Sequence, residues 1–173
     1  KHCWNIVGPL VLNAIKEFFN SGELLRESNA TIISLIPKVP NPSAMNEFRP
    51  ISCCNTIYKC ISKLISNRLQ ATLPSLIGES QSAFIKGRKI SDNVLLAQDL
   101  LRDYHKRSGQ PRVAAKVDLM KAYDTVNWVF LFDLLQVLNF PPIMIGWIKA
   151  CVSSPKFSIN FNGESIGYFA GAR

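Results

Sequence analysis

No stretch of this 173-residue chain approaches the roughly 20 consecutive apolar residues that a membrane span requires. A secretory signal pattern is missing too, and the first residue is Lys1 rather than Met, so the sequence looks like a piece of something longer. Histidine is scarce, with His2 and His105 standing alone. The five cysteines (Cys3, Cys53, Cys54, Cys60, Cys151) are odd in number and scattered, with no CxxC pair and no Cys/His zinc spacing. That excludes a zinc ribbon and a disulfide framework. It leaves reduced thiols in an intracellular protein, nuclear or cytoplasmic, with no membrane partner. Charge is thin at 18% of residues and uneven, with 12 acids against 20 lysines and arginines. No internal repeat, low-complexity segment or disordered composition appears.

What is present supports a folded domain. Hydrophobic residues make up 47% of the chain, enough for a core in one ordinary domain or one and a half small ones. The net charge is +8, and much of it is local. Between residues 59 and 89, six basic residues (Lys59, Lys63, Arg68, Lys86, Arg88, Lys89) stand against the single acid Glu79. Clustered positive charge is the electrostatic footprint of a polyanion partner, although many basic surfaces are simply solvated.

Trp4, Val7, Leu10, Val11, Ala14, Ile15, Phe18 and Phe19 recur at helical spacing, predicting an amphipathic helix that ends near Asn20-Ser21-Gly22 with its stripe in the core. The β-branched run Thr31 to Ile36 predicts a strand closed by Pro37, and Phe48 to Ser52 predicts a second extended segment. Between them, prolines 40 and 42 keep the loop irregular. Such a pair of strands would place Lys38, leaving one, and Arg49, arriving on the other, on one side. A Lys and an Arg converging on a point suit a triphosphate; two exposed loop cations fit the sequence equally well.

Asn55 to Gln70 predicts a basic amphipathic helix whose buried stripe is Ile57, Ile61, Leu64, Ile65 and Leu69, ended by Leu73-Pro74-Ser75-Leu76-Ile77-Gly78. The loop Gln81 to Asn93 follows, with an aromatic, a glycine and three cations, and Ser91 or Asp92 is expected to cap a helix running to about Lys106. Val113 to Val117 predicts a buried strand with Asp118 at its end, followed by Tyr123 and Asp124. A carboxylate there is costly to desolvate unless it is paired, caps a turn or holds a metal ion. Phe130–Leu138 and Ile143–Val152 predict two helices split by Pro141-Pro142, and Phe157–Phe161, Asn162-Gly163 and Ser165–Phe169 predict a hairpin.

In order along the chain stand Leu35-Ile36-Pro37-Lys38, Phe48-Arg49-Pro50-Ile51-Ser52, Gln81-Ser82-Ala83-Phe84 with Gly87-Arg88 and Asp92-Asn93, Asp118 through Asp124, and Asn162-Gly163. Together they resemble the reverse transcriptase of non-LTR (LINE-type) retrotransposons, especially the plant kind, from about Trp4 onward. The resemblance implies an α+β fold: the fingers of a right-hand polymerase plus the N-terminal part of its palm. It divides the chain into a fingers-like region with an N-terminal helix (1–110) and a partial palm (111–173).

The resemblance also implies roles. Asp118 matches the first catalytic aspartate, which binds two Mg²⁺ ions (or Mn²⁺), and the backbone carbonyl of Leu119 joins the metal. Tyr123 stacks under the sugar of the incoming deoxynucleotide, and Lys38 and Arg49 grip its triphosphate. Gln81, Phe84, Gly87 and Arg88 lie along the RNA template and DNA primer, while Asp124 is structural. The family continues into a Gln-Gly-Asp-Pro segment and a hairpin bearing two adjacent aspartates, and no Asp-Asp pair exists in these 173 residues. One carboxylate cannot hold two ions roughly 4 Å apart. The expectation is therefore a piece of an RNA-directed DNA polymerase, truncated before its catalytic hairpin and inactive alone. The alternatives are a non-catalytic nucleic-acid-binding remnant and a degenerate product that does no more than fold. An unpaired edge on the 113–117 strand would favour aggregation.

Overall fold

The computed structural model describes residues 3–102, 104, 113–119, 122–161 and 163–172. Helix α1 (Trp4–Ser21) ends where expected, because Gly22 adopts the left-handed conformation at φ 75° and donates its N–H to the Phe18 carbonyl. Strand β1 (Ala30–Pro37) and strand β2 (Phe48–Cys53) pair antiparallel, with Ile36 opposite Arg49. Helix α2 (Thr56–Leu76) is capped by Asn55, whose side-chain oxygen accepts from the Ile57 N–H at 2.9 Å. Next come α3 (Ile90–Leu101), the single turn α4 (Ala122–Thr125), α5 (Trp128–Val137) and α6 (Pro142–Ser153). Strands β3 (Lys156–Phe161) and β4 (Glu164–Ala170) close the chain as an antiparallel hairpin whose Gly163 sits at φ 86°; Asn162 lies outside the described residues.

The four strands form one sheet in the order β2-β1-β3-β4, with β1 and β3 parallel. Two compact units emerge: residues 1–65 with 126–173, and residues 66–125. Packing therefore gathers stretches from both sides of residue 110 around one sheet. In the larger unit the core is built from Phe18, Ile61, Ile65, Leu135, Ile145, Ile148 and Cys151. Phe19 sits edge-on to Phe18 (5.2 Å between centroids) and to Trp147 (4.9 Å), the arrangement aromatic quadrupoles favour. The Tyr58 hydroxyl donates to the Cys151 carbonyl at 2.8 Å. Burial first, then the neighbouring Cys151 and Cys54 thiols, push Tyr58 up to about 12, and burial pushes the Cys151 thiol up to about 11. All five cysteines are free thiols.

Four expectations need correction. The apolar stripe of α1 is core only toward its end: Phe18 is buried, whereas Trp4, Val7 and Leu10 are exposed, and Trp4 folds back over Gly8 instead. Helix α2 ends at Leu76, inside the 73–78 stretch expected to stop it, with Pro74 in its last turn, but its buried face is narrower than expected. Its stripe narrows to Ile61 and Ile65, with Leu64 exposed. Helix α3 begins at Ile90, so Ser91 and Asp92 occupy its first turn rather than its cap, and it is described to Leu101, with Lys106 outside the described residues.

The fourth correction matters most. Residues 113–119 form no strand and are exposed throughout, Val113 by 91% and Val117 by 84%. An extended run with no strand beside it gains no ladder bonds and no buried face, so propensity alone does not hold it.

Candidate functional site

Lys38 and Arg49 lie in the larger unit, at the loop end of the β1–β2 hairpin. Arg49 stands opposite Ile36, and the ladder continues one step further through the Lys38 N–H, which donates to the Glu47 carbonyl at 2.7 Å. The period-two alternation of strands then puts Lys38 and Arg49 on one face. Both are exposed. The Lys38 ammonium donates to the Asn46 carbonyl at 2.7 Å, which anchors its stem to the loop.

That loop has a brace sequence reasoning missed. The Glu47 carboxylate accepts from the Ser43 N–H at 2.6 Å and from the Ala44 N–H at 3.2 Å. Those two backbone bonds hold its pKa below the usual carboxylate value. The spacing was a usable signal: a Ser four residues ahead of a Glu, before an extended run, is close to a capping box.

Gln81, Phe84, Gly87 and Arg88 lie in the smaller unit, in one loop between α2 and α3. Arg88 organises it. One guanidinium nitrogen donates to the carbonyls of Gly78 (2.6 Å) and Gln81 (2.7 Å), the other to those of Ile77 (2.9 Å) and Pro74 (3.3 Å). Two of these acceptors are the unsatisfied carbonyls at and just beyond the end of α2, where the helix dipole is negative and a cation is favoured. Asn93, in the first turn of α3, ties the other side of the loop, donating to the Ser80 carbonyl (3.2 Å) and the Ser82 hydroxyl (2.9 Å). Ile85 is buried and pins the middle.

Held this way, Phe84 is 80% exposed and sits at φ 64°, a left-handed conformation that costs an L-residue about 1–2 kcal/mol. Gly87, at φ 87°, takes the same region without cost. No local pattern announces the Arg88 and Asn93 bonds, because their acceptors lie 7 to 14 positions upstream.

Asp118 is exposed on the irregular 113–119 stretch, and Leu119 is 75% exposed. Tyr123 belongs to α4 by its backbone, its side chain lying outside the described set, and Asp124 is exposed beside it. Among the described residues no three His, Cys, Asp or Glu side chains gather into a group able to hold a metal ion. The described residues therefore do not make a complete two-ion site.

The reverse transcriptase (RNA-dependent DNA polymerase) family matches residues 36–172, a span that contains every one of these positions. The transposon TX1 uncharacterized 149 kDa protein of Xenopus laevis is 33% identical over 159 residues, 92% of this chain and 12% of its own length. The retrovirus-related Pol polyprotein from the type-2 retrotransposable element R2DM of Drosophila melanogaster is 24% identical over 138 residues, 80% of this chain and 13% of its own. A type-1 R2 counterpart in Bradysia coprophila is 22% identical over 128 residues. The chain thus spans about an eighth of the length of these relatives. All three are animal proteins, and they do not bear out a plant affinity. This chain belongs to the reverse transcriptase family, in its non-LTR retrotransposon branch.

Proposed function

We propose that this chain is the nucleotide-gripping and template-guiding part of an RNA-directed DNA polymerase, working within a longer protein. The observation that carries the reading is the pair Lys38 and Arg49, on one face at the loop end of a single hairpin. There the planar fork of Arg49 and the point charge of Lys38 take the triphosphate of an incoming deoxynucleotide. Tyr123 takes the sugar. Gln81, Phe84 and Gly87 lie along the template–primer, and Arg88 serves the same contact by holding their loop in shape.

Reverse transcriptases work with divalent metal ions. In the longer protein Asp118 and the Leu119 carbonyl are taken as ligands of Mg²⁺, with Mn²⁺ the substitute. The described residues do not complete that site. Alone, the chain is expected to bind nucleic acid without extending a primer.

Primer extension by the longer protein tests the assignment. Asp118→Asn is expected to abolish extension and leave duplex binding nearly unchanged. Lys38→Ala and Arg49→Ala are expected to raise KM for the deoxynucleotide about tenfold each. An Asp118→Asn enzyme that extends at a comparable rate would remove the aspartate from the metal site.

A further inference from the structure

At the end of the sheet opposite the Lys38–Arg49 tip, a cleft of about 420 Å³ opens among Leu24, Arg26, Asn29, Ser154, Lys156 and Tyr168. All six residues belong to the larger unit. Two cations face this space and no acid lines it. Glu23 and Glu27, the nearest acids on the same loop, are not part of its wall. A cleft lined by one sign of charge focuses a field that draws the opposite sign.

The backbone segments that carry the cations are tied together. Arg26 lies at the head of a short helical turn, Glu27–Asn29, and Lys156 begins β3. The clasp between them is Asn29, 4% exposed, whose side-chain N–H donates to the Ser154 hydroxyl at 2.6 Å. That single bond ties the backbone three residues after Arg26 to the backbone two residues before Lys156. In the ladder Lys156 lies between Ala30 on one neighbouring strand and Ala170 on the other, so small side chains leave the space around its stem open. Tyr168, 59% exposed, completes the wall. Asn29 contributes one more feature. Its Oδ1 is the one buried side-chain oxygen or nitrogen among the described residues with no hydrogen-bond partner, so the wall of this cleft has an unfilled acceptor.

We propose that this cleft binds one nucleotide unit of single-stranded RNA, its phosphate between Arg26 and Lys156 and its base against the Tyr168 ring. Cations that track a backbone, beside an aromatic face on which a base stacks, are the two components of sequence-tolerant single-strand binding. A volume of about 420 Å³ is enough for one nucleotide unit. The inference rests on the nucleic-acid reading above and adds to it a second contact, outside the nucleotide grip.

The test is fluorescence-anisotropy binding of an unstructured RNA of about 20 nucleotides to the full 173-residue chain at several salt concentrations. Arg26→Ala with Lys156→Ala is expected to weaken binding about tenfold at low salt, and to flatten the plot of log affinity against log salt by at least about 0.7. Tyr168→Ala is expected to weaken binding by a similar factor with the slope unchanged, while Tyr168→Phe binds as the unaltered chain does. Lys16→Ala with Lys149→Ala removes the same charge from exposed positions outside the cleft and serves as the control.

If the Arg26/Lys156 variant binds with unchanged affinity and slope, or loses no more than the control, the cleft is not a binding site and the nucleic-acid reading stands without it. An unaltered chain with no RNA affinity at low salt overturns both. Circular dichroism of each variant, matching the unaltered chain, secures that a loss of binding is not a loss of fold.

Discussion

Arg88 is a cation that sequence alone aims at nucleic acid, yet its guanidinium is turned inward onto four backbone carbonyls. Motif matching names the residue, but only the fold names its acceptors. A planar fork with five donors can satisfy such a set, whereas an ammonium on a flexible stem reaches one or two of them. Arg88→Lys is therefore expected to keep the charge and still lose about 1–2 kcal/mol of local stability, after allowing for the exposure of these bonds. Hydrogen exchange of the amides from Ile77 to Asn93 would register it as faster opening, with amides of the β1–β2 pair unaffected. Unchanged protection across that loop would mean that Arg88 is not its brace.

Glu47 makes the same point with a sign attached. Its folded pKa is depressed below the ordinary 4.5 by the Ser43 and Ala44 amides. The stabilisation it gives the loop is therefore fully present above pH 4.5 and is lost as pH falls through the folded value. Exchange of the Ser43 and Ala44 amides, corrected for intrinsic rates, is expected to lose protection as pH falls below 4.5 and through the depressed folded value. Glu47→Gln should lose the protection at every pH and the pH dependence with it.

Among the elements, the ones legible in the sequence are those whose stability is local or whose partner is close. The β1–β2 and β3–β4 hairpins, the glycine stop of α1 and the proline start of α6 all follow from residues within a few positions. The misread ones depend on what lies beside them. Val113–Val117 carries a strand's composition and has no strand to pair with among the described residues of its unit. Trp4, Val7 and Leu10 have a core stripe's spacing and no core opposite them. The candidate site divides the same way. The Lys38–Arg49 juxtaposition was readable from two strands and a loop, while the Asn93 tie and the Arg26–Lys156 cleft depend on contacts 11 to 125 positions apart.

The molecule as a whole has an uneven core. Among the described residues, seven of the eight buried hydrophobic ones belong to the larger unit, and Ile85 alone to residues 66–125. Helix α3 buries none of its residues and exposes Ile90, Val94, Leu95, Leu96, Leu100 and Leu101. Apolar surface of that extent promotes association in water. The isolated chain is expected to bind anilinonaphthalene sulfonate under native conditions and to scatter more light as its concentration rises. Val94→Lys with Leu101→Lys should reduce both signals without altering the circular dichroism. Dye binding that survives those substitutions would locate the exposed surface elsewhere.

The parallel pairing of β1 with β3 sets a timetable for synthesis. Asn29 and Ser154, clasped beside that pairing, are 125 positions apart in the chain. On a ribosome adding about 5–20 residues per second, the segment carrying Asn29 emerges roughly 6–25 s before the segment that must dock beside it. For that interval the inner edge of β1 has no neighbour, and chains on the same messenger carry the identical edge. Domain-swapped or strand-paired dimers formed at that stage would hold native contacts between the wrong copies, and slower translation of residues 66–155 would make them more abundant.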